Sequence, residues 1–128
     1  MLDLLAKLLA LYGTLKNLHY SASGAAFYSL HTQADEMNDG ILDFIDEIQE
    51  NYNLGQGQPY YNFATIAEFS SQFVVDGDVG ACLRGVLGLV SSILEEMVEL
   101  KTDAVEDIFS RLNNKLFKIN GFVLKTLA

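Results

Sequence analysis

The sequence predicts an all-α protein, a four-helix bundle with a short first loop, a long crossover and a short last loop. Three observations lead there. One proline, Pro59, stands among 128 residues, so helices are permitted over most of the length. Apolar residues recur at i+3 and i+4 in four separate stretches. The second and third stretches are separated by ~25 residues, far more than a bundle hairpin needs and enough to run the length of a bundle. Half the residues are apolar (50%), which suits a single domain over residues 1–128 with a substantial core.

The first helix is expected over residues 2–20. Leu4, Leu8, Leu11, Leu15 and Leu18 follow helical spacing, and so do Leu5, Leu8, Tyr12 and Leu15. The apolar surface is wider than one stripe, so this helix should touch neighbours on more than one side. Lys7 and Lys16 are left for solvent. His19 extends the Leu8–Tyr12–Leu15 line, and taken alone it reads as a core-edge histidine with a satisfied hydrogen bond.

Small residues and a glycine at 21–25 allow a tight antiparallel reversal. The second helix is expected as one long element over residues 27–52, with Leu30, Ala34, Met37, Ile41, Ile45, Ile48 and Tyr52 as its apolar stripe. Glycines and Pro59 in 53–59 end it. A short helix over 65–73 lies inside the crossover, with Thr65 as its cap and Glu68 three residues on.

The third helix is expected over 79–100, with Leu83, Val86, Leu87, Val90, Ile93, Leu94, Met97 and Val98 apolar. Gly80, Gly85 and Gly88 would permit close packing there. Thr102 or Asp103 caps a fourth helix from about residue 104 to the end, carrying Val105, Ile108, Leu112, Leu116, Ile119, Val123 and Leu127. The sum is the ferritin-like four-helix bundle, with a long crossover carrying a short helix between helices two and three.

The net charge of -9 and the scattered Lys and Arg residues argue against a nucleic-acid partner, which needs a basic patch. A lone cysteine, Cys82, sits in an apolar run and is expected in the core; no intramolecular disulfide can form, and a reducing cytoplasm fits. The N-terminal apolar run begins with an acid and contains Lys7, unlike a signal peptide. The run over 79–94 carries Arg84, so no membrane span is expected.

Both histidines, His19 and His31, lie in the stretch 19–50 together with Asp35, Asp46 and Glu50. Imidazoles and carboxylates are ligands for iron, and zinc or manganese would suit the same set. On a continuous helix turning 100° per residue from Leu30, His31 falls near about 100°, Asp35 near about 140°, Asp46 near about 160° and Glu50 near about 200°. They share a face beside the core stripe, with Tyr28 and Leu42. Asp35 and Asp46 are nevertheless ~16 Å apart along the axis. One chain therefore cannot close them around one ion. Two antiparallel copies related by a two-fold axis near Gly40 and Ile41 can, which predicts a dimer through helix two with two shared sites. Glu95, Glu96 and Glu99 have no histidine partner and read as a solvated face.

At these residues the sequence resembles the Dps family of mini-ferritins. That family's ferroxidase pattern is a His, a second His twelve residues on, an Asp four later, an Asp eleven further and a Glu four beyond. Here it reads His19, His31, Asp35, Asp46 and Glu50. The motifs N-L-H-Y, F-Y-S-L-H-T-Q-A-D-E, D-F-I-D-E-I-Q-E, L-G-Q-G-Q-P and F-K-I-N-G-F-V-L-K-T-L are similar to the family's text around them.

The resemblance implies a homo-oligomer, a hollow dodecamer, in which His19, His31 and Asp35 of one subunit and Asp46 and Glu50 of its partner hold ferrous iron. The iron would be oxidised by hydrogen peroxide or oxygen and stored as ferric oxide, protecting the cell against oxidative stress. Tyr20 stands where the family usually has Trp. No basic tail precedes the first helix, so DNA binding is not expected. Glu36, Asp39, Asp43 and Glu47 occupy the next face of helix two, either as mineral-nucleating acids or as a solvated surface. The alternative is a non-enzymatic ferritin-like helical interaction or structural protein, with or without a bound metal.

Overall fold

Leucines on several sides of one helix demand neighbours on several sides, and α1 (Leu2–Ser21) has them. Leu4, Leu5, Leu8, Leu11, Leu15 and Leu18 are all fully buried. The computed structural model describes residues 1–128, and every regular element is helical: α1, α2 (Tyr28–Asn38), α3 (Ile41–Ile48), α4 (Phe63–Ser70), α5 (Val79–Leu100) and α6 (Glu106–Leu127). Helix α1 packs against α2, α3, α4 and α5, while α6 closes on α5 and α3. One core cluster links them.

The long second helix expected over 27–52 is not continuous. Asp39 leaves helical geometry at ψ 132°, and Gly40 follows at φ +84°, ψ -7°, a left-handed conformation that costs glycine little and other residues much. Asn38, only 3% exposed, donates its amide to the Tyr12 carbonyl at 3.1 Å and ties the end of α2 to α1. The apolar stripe keeps its phase across the break, since Ala34, Ile41, Ile45 and Ile48 are all buried. A 3-10 turn (Ala25–Phe27) precedes α2, and a π turn (Gln49–Asn53) follows α3.

In the connection after α3, the short helix is α4, displaced toward the N-terminus from the expected 65–73. Asn62, not Thr65, caps it: its Oδ1 accepts from the Ala64 N–H at 2.8 Å. Thr65 lies inside the first turns, where its hydroxyl has no capping role. Ile66 is buried, and α4 packs on α1. Beyond α4, Val75 pins the chain. Its N–H donates to the Thr14 hydroxyl at 3.0 Å, and its carbonyl accepts the Asn17 amide at 3.0 Å.

Helix α5 has the predicted bounds, with Asp78 Oδ1 accepting the Ala81 N–H at 2.8 Å. Cys82 is fully buried, and burial pushes its thiol above the ordinary range. Val98 is not a core residue: it is 80% exposed, and Leu89 is buried instead. Lys7 and Lys16 are not free in solvent. Lys7 Nζ lies 3.3 Å from Glu96 on α5 and 5.3 Å from the centre of the Phe73 ring, so Glu96 is not part of a solvated face. Lys16 pairs with Asp35.

Helix α6 starts after a 3-10 turn (Asp103–Val105) for which Thr102 supplies no side-chain cap. Its expected apolar residues are buried except Leu127. Arg111 forks onto Glu47 at 2.8 and 3.1 Å and onto Asp107 at 3.1 Å, tying α6 to α3. Glu47 is thereby paired. No helix is long and apolar enough to cross a membrane.

Of the three glycines expected to permit close packing on α5, only Gly85 meets another segment closely. A Cβ there would lie 2.7 Å from the Val75 side chain, whereas one on Gly88 would meet open space. Gly85→Ala should therefore lower stability by about 1–3 kcal/mol through overpacking. Gly88→Ala should raise it by up to about 1 kcal/mol through helix propensity. Urea unfolding of both variants against the parent checks the pair, and equal shifts would contradict the packing of Val75 on α5.

Candidate metal centre

The α1–α2 reversal is what brings the histidines together. The Ala22 N–H closes α1 by donating to the Leu18 carbonyl, and Gly24 turns the chain at φ +86°. From there the pairings step down α1 as they step up α2. His19 meets His31, Lys16 meets Asp35, and Tyr12 meets Asn38. The hairpin is therefore antiparallel, with polar side chains along its seam.

At the loop end of that seam the two imidazoles stack, 3.7 Å between centroids and 22° between planes. Their hydrogen bonds are reciprocal. His19 Nδ1 donates to the His31 carbonyl at 2.6 Å, and His31 Nδ1 donates to the His19 carbonyl at 2.6 Å. A carbonyl only accepts, so each ring carries its proton on Nδ1. His19 lies in the last turn of α1, where carbonyls lack a helical partner, and His31 satisfies that group. His31 lies inside α2, where its carbonyl takes the imidazole on its second lone pair. The sequence explains both the fold of the hairpin and the state of the rings: with Nδ1 committed to backbone, Nε2 is the atom left to bind a metal.

Asp35 stands one turn beyond His31 on α2. Lys16 Nζ donates to its Oδ1 at 2.9 Å. That hydrogen bond and the ammonium charge hold the Asp35 carboxyl below its usual range, with smaller help from His19 and His31. The same bond raises Lys16. Oδ2 of Asp35 accepts no bond from the protein. Two imidazole nitrogens and one carboxylate oxygen make a donor set that suits iron, zinc or manganese, with Lys16 as a competitor for the carboxylate.

Asp46 on α3 and Glu50 in the π turn are exposed, and neither enters an ion pair. No three His, Cys, Asp or Glu side chains of the chain converge closely enough to enclose an ion. The five residues are thus distributed as a pair of stacked histidines with Asp35 nearby, and two acids beyond the Gly40 break. That break also means that the helical angles of Asp46 and Glu50 cannot be counted through from Leu30. Tyr28 is 71% exposed and Leu42 39%, so both present apolar surface among these acids. Tyr20, 66% exposed, stands edge-on to His19 with 5.7 Å between ring centroids.

Beside the break, an open cleft of about 560 Å³ is lined by Tyr12, Lys16, Asp35, Glu36, Asp39 and Asp43, among others. Lys16 and Asn38 did not emerge as site residues from the sequence. The signal that finds Lys16 is its place one turn before His19, which an antiparallel partner with Asp35 one turn after His31 must meet. No protein-family profile, curated protein or solved structure matches this chain.

The Lys16–Asp35 pair has a defined pH window. Asp35 is lowered from 3.8, so its contribution is complete above that value and is lost as pH falls through the lower folded value. Lys16 is raised from 10.5, so its contribution is complete below that value and is lost as pH rises through the higher folded value. Because the pair is partly solvated, Lys16→Met should change neutral-pH stability only slightly. Whatever difference there is should shrink toward both extremes. Thermal unfolding of parent and variant between pH 2 and about 12 checks this. A gap that persists unchanged below pH 3.8 would contradict it.

Proposed function

We propose that this protein is a ferroxidase and iron store of the mini-ferritin kind. Ferrous iron is its substrate, and the half-sites of two subunits combine to hold it. The observation that carries this reading is the reciprocal histidine pair, which uses both Nδ1 atoms and leaves both Nε2 atoms uncommitted, with Asp35 one turn along α2. A histidine pair serving only the core would be buried; these two residues are half-buried. The resemblance of His19, His31, Asp35, Asp46 and Glu50 to the Dps ferroxidase pattern supports the same reading.

In this proposal α1, the α2–α3 pair, α5 and α6 are the four members of a ferritin-like bundle. The connection through α4 is its crossover. The adjacency of α1 to α2, α3 and α5, and of α6 to α5 and α3, is the closed ring of neighbours that such a bundle needs. Two copies pack through α2–α3, burying Tyr28 and Leu42, and Asp46 and Glu50 of the partner complete the site. A dodecameric shell with a mineral store, and a cytoplasmic place in defence against oxidative stress, follow from the family resemblance.

The chemistry balances simply. Two ferrous ions each give one electron to hydrogen peroxide, its O–O bond breaks to two hydroxides, and hydrolysis of the ferric product releases protons. The chain's part is to bind and orient: neutral imidazoles through Nε2, carboxylates through oxygen, and Lys16 yielding Asp35 as the metal's charge replaces its own.

A second reading, a helical interaction protein without turnover, is favoured by one feature: Asp35 already has a cation in Lys16. Aerobic and peroxide-driven oxidation of ferrous iron separates the two. The first reading expects a ferric absorbance that grows faster than a protein-free blank and is lost in His31→Ala and in Asp46→Ala. Co-assembled His31→Ala and Asp46→Ala subunits should regain part of the rate, because some interfaces then combine two intact halves. A rate equal to the blank, or a stable species at 14.1 kDa, would refute the shared ferroxidase site.

A further inference from the structure

The geometry points to Gln49 as a positioning residue that sets the direction of Glu50, an inference that rests on the ligand role proposed for Glu50. Gln49 opens the π turn Gln49–Asn53, whose second residue is Glu50. Such turns are rare in isolation and occur mostly as single interruptions of helices. This one is held by a side chain. Gln49 Nε2 donates to the Tyr61 carbonyl at 2.8 Å, and Gln49 Oε1 accepts the Tyr61 N–H at 2.8 Å. The amide thus pairs with both backbone groups of Tyr61 as another peptide unit would. Oε1 also accepts the Asn53 amide at 2.8 Å, so the clamp joins both ends of the turn. Asn53 is 3% exposed, and its carbonyl takes the Gln58 N–H at 2.9 Å, which locks the exit.

These bonds do two things at once. They anchor the irregular segment before α4 to the end of α3. They also fix the backbone on both sides of Glu50, whose own side chain makes no ion pair. A π turn takes more residues per turn than an α-helix, so the direction of Glu50 relative to Asp46 depends on the turn staying as it is. Gln49 stands to Glu50 as an outer partner stands to a metal ligand: it makes no bond to the ion but orients the group that does.

Cobalt(II) titration, read by visible absorption, tests this in the assembled protein. The variants are Gln49→Met, Gln49→Glu and Glu50→Gln, with circular dichroism and thermal unfolding as fold controls. Gln49→Met should keep its helical signal, weaken cobalt binding about 10–100-fold and shift the absorption bands toward those of Glu50→Gln. Gln49→Glu keeps the acceptor oxygen and loses the donor, so it should fall between parent and Gln49→Met. It also carries the test if Gln49→Met does not fold. If Glu50→Gln alters the cobalt spectrum and both Gln49 variants leave bands and affinity at parental values, the positioning role of Gln49 fails alone. It fails equally if those variants lower only the unfolding midpoint. If the parent binds no cobalt, or Glu50→Gln matches the parent, the ligand role of Glu50 fails and takes the positioning role with it.

Discussion

Burial of α1 on most of its sides is the constraint from which the remaining arrangement follows. A helix with leucines all round can be covered only by several partners, and α2, α3, α4 and α5 all lie against it. Polar side chains on such a helix lose water and have to find partners elsewhere in the chain. From Lys7 onward they do. Lys7 meets Glu96, Thr14 receives the Val75 N–H, Asn17 reaches the Val75 carbonyl, Lys16 meets Asp35, and His19 meets the His31 backbone. Together these contacts join α1 to α2, to α5 and to the segment after α4. Hydrophobic burial supplies the drive, while these polar contacts select which register of neighbours is acceptable.

The histidine pair is one instance of this pattern. The end of α1 leaves carbonyls without helical donors, and the start of α2 lies opposite. Each neutral hydrogen bond to a carbonyl contributes about 1 kcal/mol, so the latch is a modest part of the fold's stability. Its larger consequence is chemical. Using Nδ1 for structure fixes both tautomers and leaves both Nε2 atoms for a ligand. Structure and the proposed metal binding would therefore use different atoms of the same rings and would not compete. Asp35 differs in this respect, because the oxygen that Lys16 occupies is one that a cation could use.

Much of the fold was legible because burial follows helical spacing. The core residues of α1, α5 and α6 could be read from their i+3 and i+4 recurrence, and the turn at Gly24 and the apolar setting of Cys82 agree with their surroundings. Periodicity could not reveal the break at Gly40. Ala34, Ile41 and Ile45 are buried on both sides of it, so the apolar phase carries no mark of the interruption. The backbone shows it, in the extended ψ of Asp39 and the left-handed φ of Gly40. The polar pairings were illegible for another reason: whether Lys7 faces water or Glu96 depends on which helix lies opposite, and spacing within one helix does not contain that. Val98 shows the same limit. It continues the apolar row of α5 past the point where neighbours cover it.

The break and the π turn bear directly on how a shared site could form. A continuous helix would carry Asp35 and Asp46 as fixed points of one rod, and the partner's acids would have to meet the histidines through the straightness of that rod. Here the rod is divided. His31 and Asp35 are placed by the α1–α2 seam, through Asn38, Lys16 and the histidine latch. Asp46 and Glu50 are placed by separate anchors, Arg111 on Glu47 and Gln49 on Tyr61. Each half of the proposed site is thus held by its own set of contacts to the rest of the subunit. The angle between the halves is set at Asp39 and Gly40. On the proposed two-fold arrangement the axis passes close to that same point. A small change in the break would then move both symmetry-related sites together, so on that proposal the geometry at Gly40 would govern metal binding and subunit pairing as one property.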